Sequence, residues 1–248
     1  TEHIAHDLRY DRADEFMEIV LGHWDAWDDD ALIVDKTTGR FADPHKVRRL
    51  DYEGKFYRSR GPFTVPRSEQ GHPVIIQAGQ SGRGMRFAGR WAEVVFSSGG
   101  NAKRAKEIYT SLRDAAANCG RDPDHVSICN AITIVAGKSK AEAEDKMAEI
   151  EKLPMQIDQL SLLAEGVNFD FAAKDLDDPL TDAELANFSG MLTIRDSVIR
   201  ASGKKNPTTR DFIDINHRGK VTDAVVGGPK EVADQLEEMF VDRHCDGF

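Results

Sequence analysis

Apolar residues near the start of the chain recur at three- and four-residue steps, which is the spacing of an amphipathic helix. They extend from Tyr10 to Trp24 and predict a helix over residues 7–27. The next stretch, residues 28–72, is punctuated by acidic residues, glycine and proline, and predicts a long excursion. We expect at most one short extended pair in it, around residues 56–63. Long segments of this kind usually cover a site in compact domains.

From residue 73 onward, short continuous apolar runs alternate with helical periodicity. Such runs are typical of strands that are buried on both faces of a parallel sheet. The predicted strands are 73–78, 93–98, 126–136 and 224–228, and the predicted helices between and after them are 85–91, 101–118 and 230–241. This alternation indicates right-handed βαβ units and therefore an α/β fold with a parallel sheet.

Residues 139–220 interrupt that alternation, and no strand is predicted in them. A polar helix should start near Ser139. Thr181 and Thr208 each precede an acidic residue three positions later, which is the pattern of a capped helix start. The last four residues, 245–248, are predicted to begin another strand.

The turn that follows the predicted strand at 73–78 carries the strongest chemical signal. Gly79, Gly82 and Gly84 allow a ligand to approach the backbone closely. Ser81 adds a hydroxyl, and the amides of the following helix start point the same way, so the turn predicts a phosphate site. A tight turn whose glycines serve packing alone accounts for the same residues equally well. The glycine spacing differs from the dinucleotide fingerprint, and no P-loop lysine follows.

His6 and Tyr10 are four residues apart, so they share a helix face if the first helix begins at or before His6. An imidazole and a phenol placed together at a helix start could bracket a ring or a phosphate. From the residues alone, a helix-start histidine and a core tyrosine are the simpler interpretation.

Charge and composition exclude several classes of protein. The chain has 33 Lys and Arg against 43 Asp and Glu, for a formal net charge of −10, which argues against nucleic-acid binding because phosphates require clustered cations. No apolar run approaches the roughly 18 residues of a membrane-spanning helix, so we expect no membrane association. The three widely spaced cysteines predict free, buried thiols, no metal site and a cytoplasmic setting.

Several segments occur in a fixed order along the chain: HDLRYDRADE (6–15), LGHWDAW (21–27), GRFAD (39–43), GPF (61–63), PRS (66–68) and PVIIQAG (73–79), followed by Ser81. Taken together, they resemble the reduced-flavin-dependent monooxygenases of the bacterial luciferase-like superfamily. The closest branch contains the nitrilotriacetate, EDTA and dibenzothiophene-sulfone monooxygenases. Residues 227–248 also resemble the helix and strand that close the family's fold, so the resemblance covers nearly the whole chain.

This resemblance implies a (β/α)8 TIM barrel of the luciferase-like type that binds FMN as FMNH2. A separate NAD(P)H:flavin oxidoreductase would supply the reduced flavin, which would react with O2 to form a C4a-peroxyflavin and oxygenate a small organic substrate. His6, Tyr10 and Ser81 match the family's phosphate ligands, and Gly79 and Gln80 would add backbone contacts. The resemblance thus favours the functional interpretation of His6 and Tyr10. It assigns no catalytic acid or base.

The family's chains are longer, so the resemblance implies that residues 1–248 form a single luciferase-like barrel domain truncated at its N-terminus. Such a domain would hold about four of the eight βα units, with insertions at about 28–72 and 139–220 that roof the pocket and exclude water. We expect the full-length protein to form a homo-oligomer. Three alternatives stay open: an F420-dependent oxidoreductase on the same barrel, an inactive barrel fragment, and a phosphate-ligand-binding protein with a doubly wound sheet.

Overall fold

A computed structural model of the protein describes residues 4–79, 81–98, 102–216 and 224–248. The chain divides into two compact units. Unit 1 comprises Thr1–Ala131 and Met239–Phe248, and unit 2 comprises Ile132–Glu238. None of the helices described is long and apolar enough to cross a membrane. Within the same residues, no group of three or more His, Cys, Asp or Glu side chains could hold a metal ion.

Unit 1 is built around a parallel sheet that carries helices on one face. Its helices are α1 (His6–Trp24), α2 (Gly82–Trp91) and α3 (Ala102–Asn118), and its strands are β1 (Leu32–Asp35), β2 (Arg40–Ala42), β3 (Tyr52–Glu53), β4 (Arg58–Ser59), β5 (Ile76–Gln77), β6 (Val94–Ser97) and β7 (Ser127–Asn130). Strands β5, β6 and β7 pair in that order, all parallel. The predicted strand–helix alternation is therefore confirmed here.

The two faces of this sheet differ in burial. Val95 and Ile128 are fully buried and belong to the core formed with α2 and α3. Ile76 and Phe96 point to the opposite face, where they are 65% and 51% exposed. The prediction that these strands are buried on both faces is therefore wrong for the described residues. Successive side chains alternate between the faces of a sheet, and the helices cover only one face.

The apolar run predicted as one strand over 126–136 is divided into two. Its first part, β7, pairs with β6, whereas its second part forms β8 (Ile134–Ala136). In unit 2, β8 makes a two-stranded parallel sheet with β9 (Val225–Gly227). The prediction of a continuous strand is wrong because a run of apolar residues does not show where a strand changes its pairing partner.

The excursion at 28–72 contains two antiparallel hairpins, β1–β2 and β3–β4. The expectation of at most one extended pair, around 56–63, is therefore wrong. The missed turn is stabilised by Asp35, whose carboxylate accepts a hydrogen bond from the Thr37 N–H at 2.8 Å. Gly39 closes this turn with a φ of 71°, a left-handed conformation that glycine adopts without strain.

Helix α1 confirms the predicted helix at 7–27 except for its last turn. Trp27 lies beyond the helix end and forms an isolated antiparallel bridge with Val47. Its indole N–H donates to the Phe63 carbonyl at 2.7 Å. The apolar periodicity continues past the helix end because Trp27 is buried by the excursion and not by the helix face.

Unit 2 is mainly helical. Besides β8 and β9 it contains α4 (Lys140–Ile150), α5 (Gln156–Val167), α6 (Asp182–Ala186), α7 (Leu192–Ser202), α8 (Thr209–Ile215) and most of α9 (Pro229–Val241). Its core includes the buried rings of Phe171, Phe188 and Phe212, whose centroids lie 5.4 to 5.8 Å apart. As predicted, the described part of 139–220 has no strand.

The predicted helix starts in unit 2 are confirmed by their caps. The Ser139 hydroxyl accepts a hydrogen bond from the Glu142 N–H at the start of α4. Thr181 and Thr208 each form a complete capping box, with Glu184 and with Asp211. Caps are readable from sequence because the partners are only three residues apart.

Glu184 stabilises the start of α6 through several donors. Its carboxylate accepts hydrogen bonds from Lys174 Nζ at 2.7 Å and from the Thr181 N–H at 2.6 Å. These bonds, that of Lys174 foremost, lower the pKa of Glu184 from 4.5 to about 2. A carboxyl group whose pKa is depressed on folding stabilises the fold above its unfolded pKa, and this contribution is lost as the pH falls through the folded pKa.

We therefore expect Glu184→Gln to remove part of the pH dependence of stability between pH 4.5 and about 2. Denaturant unfolding followed by circular dichroism at several pH values in this window would measure the change. Glu165→Gln is the control, because this substitution removes the same charge from an exposed position on α5. Parallel pH profiles for the Glu184→Gln variant and the unchanged protein would contradict the expectation.

All three cysteines are free thiols, as predicted. Cys245 is buried, and burial raises the pKa of its thiol. Cys119 is exposed, so the expectation of buried thiols is wrong at that position. It follows directly after the end of α3, where the chain turns at the surface.

Candidate phosphate-binding site

The turn between β5 and α2 places a serine hydroxyl at the start of a helix. Ser81 is the N-cap of α2, and its Oγ accepts a hydrogen bond from the Gly84 N–H at 3.0 Å. The first amides of a helix have no partner within the helix and carry partial positive charge. This end of α2 therefore combines a hydroxyl with amides that favour an anion.

The start of α1 brings a histidine and a tyrosine to the same place. Because α1 begins at His6, the two rings lie on one face as predicted, with centroids 5.1 Å apart. The Tyr10 ring also faces Phe87 of α2, at 5.5 Å. His6 Nε2 lies 3.2 Å from Ser81 Oγ. Three of the predicted site residues, His6, Tyr10 and Ser81, are therefore neighbours.

The contacts of the His6 ring indicate the position of its protons. Nδ1 lies 2.7 Å from the Asp7 carboxylate, which can only accept, so Nδ1 carries a hydrogen. In the neutral ring Nε2 is then the acceptor for the Ser81 hydroxyl. The His6 side chain is 48% exposed, so the ring is accessible from solvent while it accepts the hydrogen bond of Ser81.

Two glycines leave the space that the Tyr10 hydroxyl occupies. A Cβ on Gly79 would overlap that hydroxyl. A Cβ on Gly84 would lie 2.8 Å from it and 3.0 Å from Ser81 Oγ. The predicted close approach to the glycine turn is thus made by Tyr10 itself. Gln80, the remaining predicted contact, lies outside the described residues.

Hydrogen bonds between α1 and α2 fix the position of His6 and Tyr10 on α1 relative to Ser81 at the start of α2. The Arg83 guanidinium pairs with Asp11 at 2.9 Å and also with Asp14. The Trp91 indole N–H donates to Asp14 at 2.6 Å. Sequence reasoning missed Arg83, because Asp11 precedes it by 72 residues and no local pattern joins them. Its only signal was a charged residue within the glycine-rich turn.

Gln77, at the end of β5, was also missed. Its Oε1 atom is buried and has no hydrogen-bond partner among the described residues. Its Nε2 atom would lie 2.5 Å from a Cβ on Gly79, so the amide is at the glycine turn. Burying an acceptor without a donor costs free energy, which makes this position suited to a ligand or a bound water that donates a hydrogen bond.

An open cavity of 280 Å³ adjoins the site and is lined by His6, Arg9, Tyr10 and Ala13. These positions follow a three- and four-residue spacing along one face of α1. A larger depression of 770 Å³ lies between β8 and α4 in unit 2, and its lining among the described residues includes none of the predicted site residues. We therefore regard the smaller cavity, which has the convergent polar groups, as the candidate site.

Residues 2–246 match the profile of the luciferase-like monooxygenase family. The protein belongs to this family. The match confirms the resemblance inferred from sequence and, together with the similarity to a solved structure, the predicted α/β fold of the luciferase-like TIM-barrel type.

Individual relatives of this luciferase-like protein are similar over its whole length. Dibenzothiophene-sulfone monooxygenase of Rhodococcus erythropolis is 37% identical over 258 residues, which cover 100% of this chain and 55% of the relative. N-acetyl-S-(2-succino)cysteine monooxygenase of Bacillus subtilis is 36% identical, and the alignment covers 100% of this chain and 56% of the relative. The crystal structure of riboflavin lyase with modified FMN and substrate riboflavin aligns with a TM-score of 0.83 at 34% identity. This alignment covers 100% of this chain and 54% of the lyase chain. The chain thus spans about half the length of the relatives it matches.

Proposed function

We propose that this luciferase-like protein acts as a flavin-dependent monooxygenase of the two-component type. It would bind FMNH2 delivered by a separate NAD(P)H-dependent flavin reductase and oxygenate a small organic substrate with O2. The observation that carries the proposal is the meeting of His6, Tyr10 and Ser81 at the N-terminus of α2. Hydroxyl donors and the free amides of a helix start are groups that hold a terminal phosphate, and the His6 ring contacts the Ser81 hydroxyl beside them. The relatives named above support it, since two are monooxygenases and the third contains modified FMN.

The residues of this site fit the phosphate end of FMN. Ser81 and Tyr10 offer hydroxyl donors, and the absence of side chains at Gly79 and Gly84 leaves room for the Tyr10 hydroxyl. The unpartnered Gln77 Oε1 lies at the same turn and could accept a hydrogen bond. Bound reduced FMN would supply the chemistry with O2, and the contribution of these residues is to bind and orient it.

Binding of FMN by the 248-residue chain tests the proposal, with quenching of flavin fluorescence as the measurement. We expect saturable binding and a dissociation constant about tenfold higher in Ser81→Ala, because a hydrogen bond to a charged group contributes roughly 1.5 kcal/mol or more. Ser81→Asp is the companion variant. An aspartate preserves the N-cap but repels phosphate, so this variant should fold normally and bind FMN least.

Absence of saturable FMN or FMNH2 binding to the unchanged chain would refute the proposal. Equal affinity in the unchanged chain, Ser81→Ala and Ser81→Asp would also refute it, because the phosphate would then bind elsewhere. Thermal unfolding of each variant shows whether a loss of binding arises from the site or from the stability of α2.

A further inference from the structure

Arg9 lies on the face of α1 that carries His6 and Tyr10, and it lines the cavity beside them. We infer that Arg9 is a specificity residue that supplies the positive charge for the flavin phosphate, so that the site selects FMN over riboflavin. This inference rests on the proposed function and adds a charged group to the neutral donors already described.

The availability of its charge distinguishes Arg9 from the neighbouring arginines. Within residues 4–79, 81–98, 102–216 and 224–248, its exposed guanidinium makes no ion pair or hydrogen bond. Arg83 is engaged by Asp11 and Asp14. Arg12 lies over the Tyr57 ring, 5.4 Å from its centroid. Arg9 can therefore bind an anion without breaking an existing contact.

A phosphate at this site needs such a cation. A phosphate monoester carries about −1.5 to −2 charges at pH 7, whereas Tyr10 and Ser81 contribute only uncharged hydroxyls. The Asp7 carboxylate lies 2.7 Å from His6 Nδ1 and repels an incoming phosphate. The formal net charge of −10 adds to this repulsion. The guanidinium fork of Arg9 matches phosphate oxygens in pairs and offsets both effects.

The position of Arg9 gives its side chain room to reach the phosphate. It follows His6 by three residues and precedes Tyr10, and Ala13 leaves the next position on this face small. Arg9 also borders a second depression of 270 Å³, on the side of Phe16. Its long stem can therefore move between open spaces without displacing a packed side chain.

A comparison of FMN with riboflavin isolates the charge, because the two ligands share the ring system and differ by the phosphate. We expect Arg9→Gln to raise the dissociation constant of FMN about tenfold or more and to leave that of riboflavin unchanged. The affinity for FMN should also depend less steeply on salt in this variant, since salt screens the lost interaction. Arg9→Lys, which keeps the charge but not the fork, should recover part of the affinity.

Arg12→Gln is the matched control, since it removes the same charge from the same helix three residues away. It should change the dissociation constant of FMN less than about twofold, because the half-buried Arg12 does not line the cavity beside His6 and its charge has no direct contact with the phosphate there. Thermal unfolding should show that both variants keep the fold.

The outcomes separate this inference from the proposed function. If the unchanged chain binds FMN and Arg9→Gln binds it equally well, the inference is wrong and the proposed function stands. Equal weakening by Arg9→Gln and Arg12→Gln would reveal a general charge effect and would also overturn it. So would equal weakening of FMN and riboflavin in Arg9→Gln, which would indicate a structural role. If the unchanged chain binds no FMN, the proposed function itself fails.

Discussion

Replacing Asp246 with alanine should lower the free energy of unfolding of unit 1 by about 3 kcal/mol. The Asp246 carboxylate accepts hydrogen bonds from the Arg113 guanidinium at 2.8 and 2.9 Å, from the Tyr109 hydroxyl at 2.9 Å and from the Ile128 N–H at 2.8 Å. The Arg113 side chain is only 15% exposed. The substitution would therefore leave a largely buried cation without its main partner, which costs far more than the loss of a surface ion pair.

Asp124→Ala is the matched control, because Asp124 pairs with the same arginine at 3.0 Å but its side chain is 83% exposed. We expect a loss below about 0.5 kcal/mol there, since exposed ion pairs contribute little. Urea unfolding followed by circular dichroism measures both variants. Losses of equal size would contradict the assignment of Asp246 as the buried partner of Arg113.

Gly89→Ala should destabilise the contact between α2 and α3 by about 2 kcal/mol. A Cβ at this position would lie 2.5 Å from the Ala115 carbonyl carbon and 2.8 Å from the Ala116 nitrogen. Both are backbone atoms, so no side-chain rotation can relieve the overlap and the helices must separate. The added methyl group improves helix propensity by roughly 1 kcal/mol, which only partly offsets the overlap.

Gly82→Ala in the same helix separates these two effects. A Cβ on Gly82 meets no atom within 4 Å, so only the gain in helix propensity applies and stability should rise or stay constant. Thermal unfolding of the two variants provides the measurement. If both alanines had the same effect, the close packing of α2 on α3 would be disproved.

Gly89 also links stability to the proposed function. It lies near the end of α2, and Ser81 caps the start of the same helix. A shift of α2 away from α3 would move Ser81 relative to the groups on α1. We therefore expect Gly89→Ala to weaken FMN binding in addition to lowering stability.

Local features of this protein could be predicted from its sequence. The helical period of α1 and the capping residues Ser139, Thr181 and Thr208 depend on neighbours three or four residues away. The shared face of His6 and Tyr10 has the same origin. Their proximity to Ser81 was expected from the family resemblance alone, because 75 residues separate Ser81 from His6.

The features that sequence reasoning missed depend on distant partners. The pairing of Arg83 with Asp11 joins residues 72 positions apart. The ion pair between Asp246 and Arg113 joins residues 133 positions apart. No periodicity encodes such contacts. The division of the 126–136 run into β7 and β8 has the same cause, since each part pairs with a strand from a different region of the chain.

The sequence by itself determined the alternation of strands and helices, the helix caps, the glycine turn with its serine, and membership of a family of luciferase-like proteins. Each of these is expressed by neighbouring residues or by ordered motifs. Only the tertiary structure decided which sheet face is covered, that the Tyr10 hydroxyl fills the space left by Gly79, and that Arg9 lines the cavity beside His6. These properties depend on packing and electrostatics between segments far apart in the chain, which residue order does not specify.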